Sequence, residues 1–356
     1  MSIIINIIYF VLVLSVIIVI HEIGHLIAAK MFNVYCGEFS LGMGPVIYKK
    51  KFKETQYSLR ALPIGGFVQM AGEEDAKGEE YDSIPKERTI KGIKVWKQII
   101  VMLAGVFMNI VLAFVIFLGI NLYTGEVVVT PRPLVESIVE NSPAEESGLQ
   151  KGDLIVSIKN KDGKVFNTKT LQDVLIVQSN YDGELEYTIK RGNETFVKKM
   201  TPEIIKDSAS SLPSLGFMVK KETKQVNALE SVYYANEQLV NGVVSIKDAL
   251  VNLVQGVGLK NLSGPVGIFQ ITSDYADAGI IPTLSLIAIL SLNVGIFNLI
   301  PLPILDGGRV VMITISKIIG KPINEKFETI VMYVAALLLV ALLLFATWQD
   351  ILKLFS

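Results

Sequence analysis

The stretch VIIVIHEIGHLIAAK (Val16–Lys30) places two histidines and a glutamate at the end of a long apolar run. Ionisable side chains are costly in hydrocarbon and are usually retained there because they serve a function. The apolar run is long enough to begin a membrane span. His21, Glu22 and His25 therefore need a partner that makes their burial tolerable.

The composition predicts a membrane protein with a water-exposed portion. Of the 356 residues, 51% are hydrophobic and 19% are charged, which is too apolar for an ordinary soluble protein. The net charge of -1 gives no reason to expect nucleic acid as a partner. The single cysteine, Cys36, excludes an internal disulfide and a cysteine-rich metal site, and we interpret it as a buried thiol.

Four segments are apolar enough to span a bilayer, which takes about 20 residues. The first has no basic leading segment and no A-x-A cleavage site, so we expect a retained helix rather than a signal peptide. The sequence predicts this order: transmembrane helix 1 (1–33), a cytoplasmic, membrane-associated β region and loop (34–97), transmembrane helix 2 (98–124), a small α/β domain (125–207), an amphipathic helical segment on the membrane surface (208–277), transmembrane helix 3 (278–308), a cytoplasmic loop (309–328) and transmembrane helix 4 (329–350).

The positions of lysine and arginine predict the orientation, because basic residues concentrate in cytoplasmic loops. The loop between spans 1 and 2 carries a lysine cluster at 49–53, and the loop between spans 3 and 4 carries Arg309 and Lys317. Both loops are expected inside the cell. The two termini and the segment between spans 2 and 3 are then extracytoplasmic.

Local patterns predict short strands and helices between the spans. Residues 46–48, 56–59 and 67–70 have strand-like composition. Within the α/β domain, Ser142 is a candidate N-cap with Pro143 at the first helical position, and 168–178 suggests a second helix. Residues 226–259 read as an amphipathic helix on the membrane surface or as a packed helix of the soluble domain.

The histidine pair predicts a zinc site. His21 and His25 are four residues apart, so on a helix they lie on one face about one turn apart. Two imidazoles so placed bind one zinc ion, and Glu22 can act as general base on a water that the metal activates. These are the only histidines of the chain, so a chance match would be rare.

A hydrolytic zinc site has three protein ligands and one open position, so the pair needs a third ligand. Without another histidine, that ligand has to be Asp, Glu or Cys36. The best candidate is Asp306, at the end of the third apolar run. Spans 1 and 3 run in the same direction, so the HEIGH segment and Asp306 are expected at similar depth.

The run that leads to Asp306 reads NLIPLPILDGG (298–308). Pro301 and Pro303 cannot sustain helical hydrogen bonding, so the chain must unwind there. We expect Gly307 and Gly308 to permit a sharp turn that directs Asp306 sideways.

Two asparagines are candidate site residues with open roles. Asn298 either holds substrate backbone and the developing oxyanion or bonds a neighbouring helix. Asn109, in the middle of span 2, either packs between helices beside Gly105 or touches the active site.

Together these motifs carry a family resemblance that covers nearly the whole chain. HEIGH, PIGGFV (63–68), AGVFMN (104–109), SGPVGI (263–268) and NLIPLPILDGG resemble the site-2 protease family, in particular the bacterial regulator of sigma-E protease type.

The resemblance implies an intramembrane zinc metalloprotease of the bacterial plasma membrane. Such enzymes cleave single-span substrates, such as anti-sigma factors and remnant signal peptides, after an upstream site-1-type protease has trimmed them. His21, His25 and Asp306 match the zinc ligands, and Glu22 matches the catalytic glutamate.

The resemblance also implies substrate-binding residues. Asn298, Pro301 and Pro303 match a substrate-handling turn. The other matching positions form a β region thought to pair with extended substrate: Gly65, Gly66 and Phe67. Strand addition is physically reasonable, since a helical substrate hides its scissile carbonyls and must unwind.

Residues 135–160 resemble part of a PDZ domain. The implied fold is an α-helical polytopic membrane protein with four transmembrane helices, a membrane-associated β region and an inserted extracytoplasmic PDZ (α/β) domain. The space between spans 2 and 3 accommodates one PDZ domain plus the amphipathic segment.

Two other functions compete with proteolysis. A PDZ-bearing scaffold with a structural metal would need a closed site with four ligands. A metal transporter would need ionisable residues along a path, but spans 2 and 4 carry none between 99–123 and 330–348.

Overall fold

The computed structural model describes residues 3–73, 76, 78–129, 132–181, 183–203, 214–219, 222–254, 263–321 and 323–355. The helices are α1 (Ile3–Met31), α2 (Glu79–Asp82), α3 (Val95–Thr124), α4 (Pro143–Glu146), α5 (Leu171–Asn180), α6 (Ala228–Val254), α7 (Pro265–Ala278), α8 (Ile280–Asn298), α9 (Asp306–Ile319) and α10 (Glu325–Phe355). The strands are β1 (Cys36–Phe52), β2 (Thr55–Met70), β3 (Glu126–Val129), β4 (Val135–Ile138), β5 (Leu154–Lys159), β6 (Val165–Asn167), β7 (Leu185–Arg191), β8 (Glu194–Met200), β9 (Phe217–Val219) and β10 (Glu222–Gln225).

The chain divides into two compact units. The helical unit comprises Met1–Ile120, Val232–Leu250 and Lys260–Ser356, and the inserted unit comprises Asn121–Ser231 and Val251–Leu259.

Within the described residues, four helices are long and apolar enough to cross a membrane: α1, α3, α8 and the Lys326–Leu352 part of α10. The third is shorter than the predicted span 278–308, because α8 ends at Asn298 and a turn follows. Most of the predicted loop 309–328 is also helical, since α9 continues to Ile319. Asp306 thus begins a new helix instead of ending a membrane span.

Close crossing of α1 and α3 is possible because a glycine lies at the contact. A Cβ on Gly24 would collide with the Ala104 carbonyl and lie 2.9 Å from the Met108 side chain. α1 ends at Met31, and Asn33 then adopts a left-handed conformation (φ 62°) while the Val34 N–H bonds the Ala29 carbonyl. The crossing presents the face of α1 that carries His21 and His25 to α3.

The two long strands fold back on each other as four paired segments, and the register of 38–41 with 56–59 is parallel. Residues 36–41 of β1 pair with 66–70 of β2 on one side and with 56–59 on the other, and 46–52 pair with 55–60. All three predicted strands lie within β1 and β2. We call residues 66–70 the edge segment, because their strand partner lies on one side only within the described chain.

In the described residues, the inserted unit contains three antiparallel sheets, and strands of two of them form its core together with two short helices. The sheets have the orders β6-β5-β7-β8, β4-β9 and β10-β3. Tyr187, Ile155 and Leu215 are fully buried in the core. The predicted cap is confirmed, since the Ser142 hydroxyl accepts the Glu145 N–H with Pro143 in the first turn of α4.

Residues 208–277 were predicted to be helical, but the described part of this segment is not helical throughout. It contains β9 and β10, which pair with β4 and β3 of the inserted unit, and α6 begins only at Ala228. The inserted unit therefore extends beyond the predicted boundary at 207. Three α6 residues, Leu239, Val243 and Ile246, pack against the α3 and α8 cluster in the helical unit.

Candidate metal centre

Three predicted ligand atoms converge at one point within the helical unit. The Nε2 atoms of His21 and His25 lie 3.2 Å apart. Asp306 Oδ2 lies 3.1 Å from His21 Nε2 and 3.4 Å from His25 Nε2. α1 supplies both imidazoles, one turn apart, and the first turn of α9 supplies the carboxylate.

This arrangement fits a zinc ion. Ligands about 2.0–2.1 Å from a tetrahedral zinc lie roughly 3.3 Å from one another, close to the three observed separations. Asp306 Oδ2 is buried and has no hydrogen-bond partner among the described residues. A carboxylate oxygen aimed at two imidazole nitrogens without such a bond is suited to a shared cation.

Gly105 of α3 lies against both imidazoles. A Cβ on Gly105 of α3 would lie 2.5 Å from His25 Nε2 and 2.7 Å from His21 Nε2. Any larger residue there would enter the space between the imidazoles. The glycine beside Asn109 therefore serves the site as well as helix packing.

α3 also orients the imidazoles by contacts with their Nδ1 atoms. His25 Nδ1 lies 2.8 Å from the Val101 carbonyl, to which it donates, and this leaves Nε2 for the metal. The Asn109 amide lies against His21 Nδ1, with Nδ2 at 3.2 Å, and Asn109 Oδ1 is buried without a partner among the described residues. When Nε2 binds a metal, Nδ1 carries the proton, so rotation of the amide by half a turn would match Oδ1 to this donor.

Glu22 lies beside the edge segment. A Cβ on Gly66 would lie 3.3 Å from Glu22 Cγ and 3.0 Å from the Ser40 carbonyl. A side chain here would crowd both groups, so the glycine favours this close approach of the strand to the glutamate. The sheet is fixed against α1 and α3 by a core that includes Leu26, Val68 and Met102.

A cavity of about 470 Å³ contains the ligands, Glu22 and most of the predicted substrate residues. Asn298, Gly65, Gly66 and Phe67 line it. The described lining does not include Pro301 or Pro303.

The turn after α8 holds Asp306 by backbone contacts. The Leu305 N–H bonds the Leu302 carbonyl, and the Arg309 N–H bonds the Leu305 carbonyl as α9 begins. A Cβ on Gly307 or Gly308 would collide with the backbone of the turn. The expectation that these glycines form a sharp turn was wrong: both are helical and lack positive φ, and they are needed for close packing.

Sequence reasoning missed two residues that line the cavity. Glu73 Oε1 and Arg309 Nη1 form an ion pair of 2.6 Å, and Glu73 Oε2 accepts the Met70 N–H at 3.0 Å. The sequence signal that could have identified them is their position. Glu73 lies three residues after the end of the edge segment, and Arg309 lies three residues after Asp306.

The chain is similar to known bacterial metalloproteases. It matches the Peptidase family M50 profile over residues 9–342. It is 31% identical to the zinc metalloprotease RasP of Bacillus licheniformis over an alignment of 426 positions, which covers 98% of this chain and 99% of the relative. It is also 31% identical to the regulator of sigma-W protease RasP of Bacillus subtilis, with 98% and 99% covered.

A relative from Clostridium perfringens is 36% identical over 349 positions, which cover 97% of this chain and 98% of that protein. These matches extend over the membrane helices and the site alike. The chain is therefore a multi-pass membrane protein of peptidase family M50, the site-2 protease family, and a zinc metalloprotease.

Proposed function

We propose that the protein is an intramembrane endopeptidase that cleaves single-span membrane proteins by regulated proteolysis. The observation that carries this proposal is the enclosure of His21, His25, Asp306 and Glu22 in one cavity beside helices of membrane-spanning length. Three protein ligands leave one coordination position open, as hydrolysis requires.

The ligand set His21, His25 and Asp306 would hold zinc, which polarises a carbonyl and lowers the pKa of water. Glu22 takes the proton from the attacking water and passes it to the leaving amine. Asn298, at the end of α8, would donate to the substrate backbone or to the developing oxyanion. The contacts of α3 at Val101 and Gly105 keep the imidazoles in place.

The edge segment would hold the substrate in extended form. A transmembrane helix hides its carbonyls, so cleavage needs local unwinding and new hydrogen bonds for the exposed backbone. Residues 66–70 offer a strand edge next to Glu22. An extended substrate paired with this edge would pass Gly65, Gly66 and Phe67, which line the cavity. Pro301 and Pro303 would act indirectly, by shaping the turn that carries Asp306.

The orientation and partners follow from the charge pattern and the relatives. We place the β region on the cytoplasmic side of a bacterial plasma membrane, with both termini and the inserted unit outside. The relative named as a regulator of sigma-W protease supports anti-sigma factors as substrates, and the family resemblance implies remnant signal peptides as well. An upstream site-1-type protease would first shorten them, and the inserted unit would be a PDZ domain that excludes bulky substrates or binds a partner.

The decisive test compares the wild-type protein with Glu22→Gln in liposomes that contain a single-span model substrate. Loss of the general base should lower the cleavage rate by about 10²- to 10⁴-fold. The zinc content should remain unchanged, because Glu22 is not a ligand. Glu87→Gln, the same change at an exposed position of the β-region loop, is the matched control. Wild-type cleavage by Glu22→Gln would refute the proposal.

A further inference from the structure

The Glu73 carboxylate connects the edge segment with the helix that carries Asp306. One oxygen accepts the backbone N–H of Met70, and the other pairs with Arg309. The Glu73 side chain is only 11% exposed, whereas Arg309 is 46% exposed. All three residues line the cavity that contains the ligands.

The direction of the Met70 N–H shows that Glu73 lies at the outer, unpaired edge of the edge segment. In a strand, the backbone groups of alternate residues point to the same side. The Met70 N–H points to Glu73 and not to the neighbouring strand, so the backbone groups of Val68 and Gly66 also face the outer side. An added strand would use these groups, and its last carbonyl would meet the Met70 N–H.

We propose that Glu73 competes with the substrate for the end of the edge segment. Its carboxylate takes the place of a substrate backbone carbonyl at the Met70 N–H, and Arg309 holds it there. A substrate that pairs along the whole edge segment has to displace Glu73. This inference rests on the proposed function, because it identifies what the extended substrate must replace.

The test measures substrate binding without cleavage. In a Glu22→Gln background, fluorescence anisotropy gives the affinity of the detergent-solubilised full chain for a labelled synthetic peptide of about 20 apolar residues. Glu73→Met removes both the acceptor and the charge, and should bind the peptide roughly 3- to 10-fold more tightly, as expected when one competing hydrogen bond is lost.

Two further variants separate the ion pair from the competition. Glu73→Gln keeps an acceptor for the Met70 N–H but loses the charge, so its gain in affinity should be smaller than that of Glu73→Met. Arg309→Gln releases Glu73 without changing it, and should also bind the peptide more tightly than the parent. Zinc content is measured in every variant to show that Asp306 stays in place.

Unchanged or weaker binding by Glu73→Met at parental zinc content would overturn the inference. If Glu73→Met does not fold, unchanged or weaker peptide binding by Arg309→Gln at parental zinc content would overturn the inference instead. The proposed function fails on a different result, namely cleavage by Glu22→Gln. The two failures are therefore distinguishable.

Discussion

At the residue scale, the proposed metal centre depends on groups that are not ligands. Gly105 leaves room for the imidazoles, and the Val101 carbonyl fixes the tautomer of His25. The Asn109 side-chain amide faces His21 Nδ1, and its Oδ1 has no hydrogen-bond partner among the described residues. Such outer contacts orient metal ligands and raise their affinity.

Asn109→Ala should weaken zinc binding by about 10- to 100-fold, because His21 loses the acceptor for its Nδ1 proton. Asn109→Asp retains an acceptor and should bind zinc nearly as well as the parent. Competition with a chromophoric chelator on the purified protein measures both affinities.

Ser291→Ala is the matched control for Asn109. The Ser291 hydroxyl donates to the Asn109 backbone carbonyl at 2.9 Å, so it supports the same helix crossing without touching an imidazole. Equal losses of zinc affinity in Asn109→Ala and Ser291→Ala would assign Asn109 a packing role only.

At the element scale, Asp350 of α10 binds the backbone of the SGPVGI motif (263–268) at the start of α7. Asp350 is buried, and its Oδ2 accepts the N–H groups of Gly264 and Gly267 at 2.8 Å each. α7 has no side-chain cap of its own, since Gly264 occupies the N-cap position and Pro265 follows. A distant helix therefore supplies the cap that these orphan donors need.

Asp350→Ala should destabilise the helical unit by about 2 kcal/mol, because two buried donors lose a charged acceptor. Gly264→Ala should also destabilise it, since a Cβ there would lie 2.7 Å from the Thr347 nitrogen. Thermal unfolding in detergent, together with hydrogen exchange at the start of α7, measures both effects.

Gly119→Ala provides the control for these substitutions. A Cβ at this position of α3 meets no atom within 4 Å, and alanine favours a helix over glycine. Equal stability of Gly264→Ala and Gly119→Ala would contradict the cap assignment.

At the scale of the whole molecule, each of the two units is stabilised internally by different forces. The helical unit depends on close helix packing at small residues, whereas the inserted unit has a soluble-type core with an internal ion pair. Arg191 bonds both oxygens of the buried Asp153, at 2.6 and 2.7 Å. Burial alone would raise the pKa of Asp153, but the Arg191 guanidinium and the Gln150 N–H lower it below its ordinary value.

The inserted unit should therefore lose stability in acid. A lowered native pKa stabilises the fold above the ordinary carboxyl pKa of about 4, and this stability disappears as the pH falls through the native value. Hydrogen exchange of β7 amides in the full chain, corrected for intrinsic rates, should show decreasing protection below about pH 4.

Arg191→Gln should weaken this pH dependence. With the guanidinium gone, Asp153 loses the partner that most lowers its pKa, so its native and unfolded pKa values differ less and less stability is lost as the pH falls. The same slope in both proteins would show that the pair does not govern acid stability.

Much of the fold could be predicted from the sequence because the signals are local. Apolar length identified the four spans, and a spacing of four placed His21 and His25 on one helix face. Ser142 and Pro143 marked a helix start by their own chemistry. Composition likewise indicated the three short strands, although not their back-folded pairing.

The sequence alone thus determined which residue types could bind zinc and which segments could enter a membrane. Only the tertiary structure brought Asp306 within 3.4 Å of both imidazoles, set Gly105 and Asn109 against them, and joined Glu73 to Arg309. Periodicity and capping act between near neighbours in the chain. Contacts between distant segments depend on the rotation and crossing of packed helices, which no local pattern specifies.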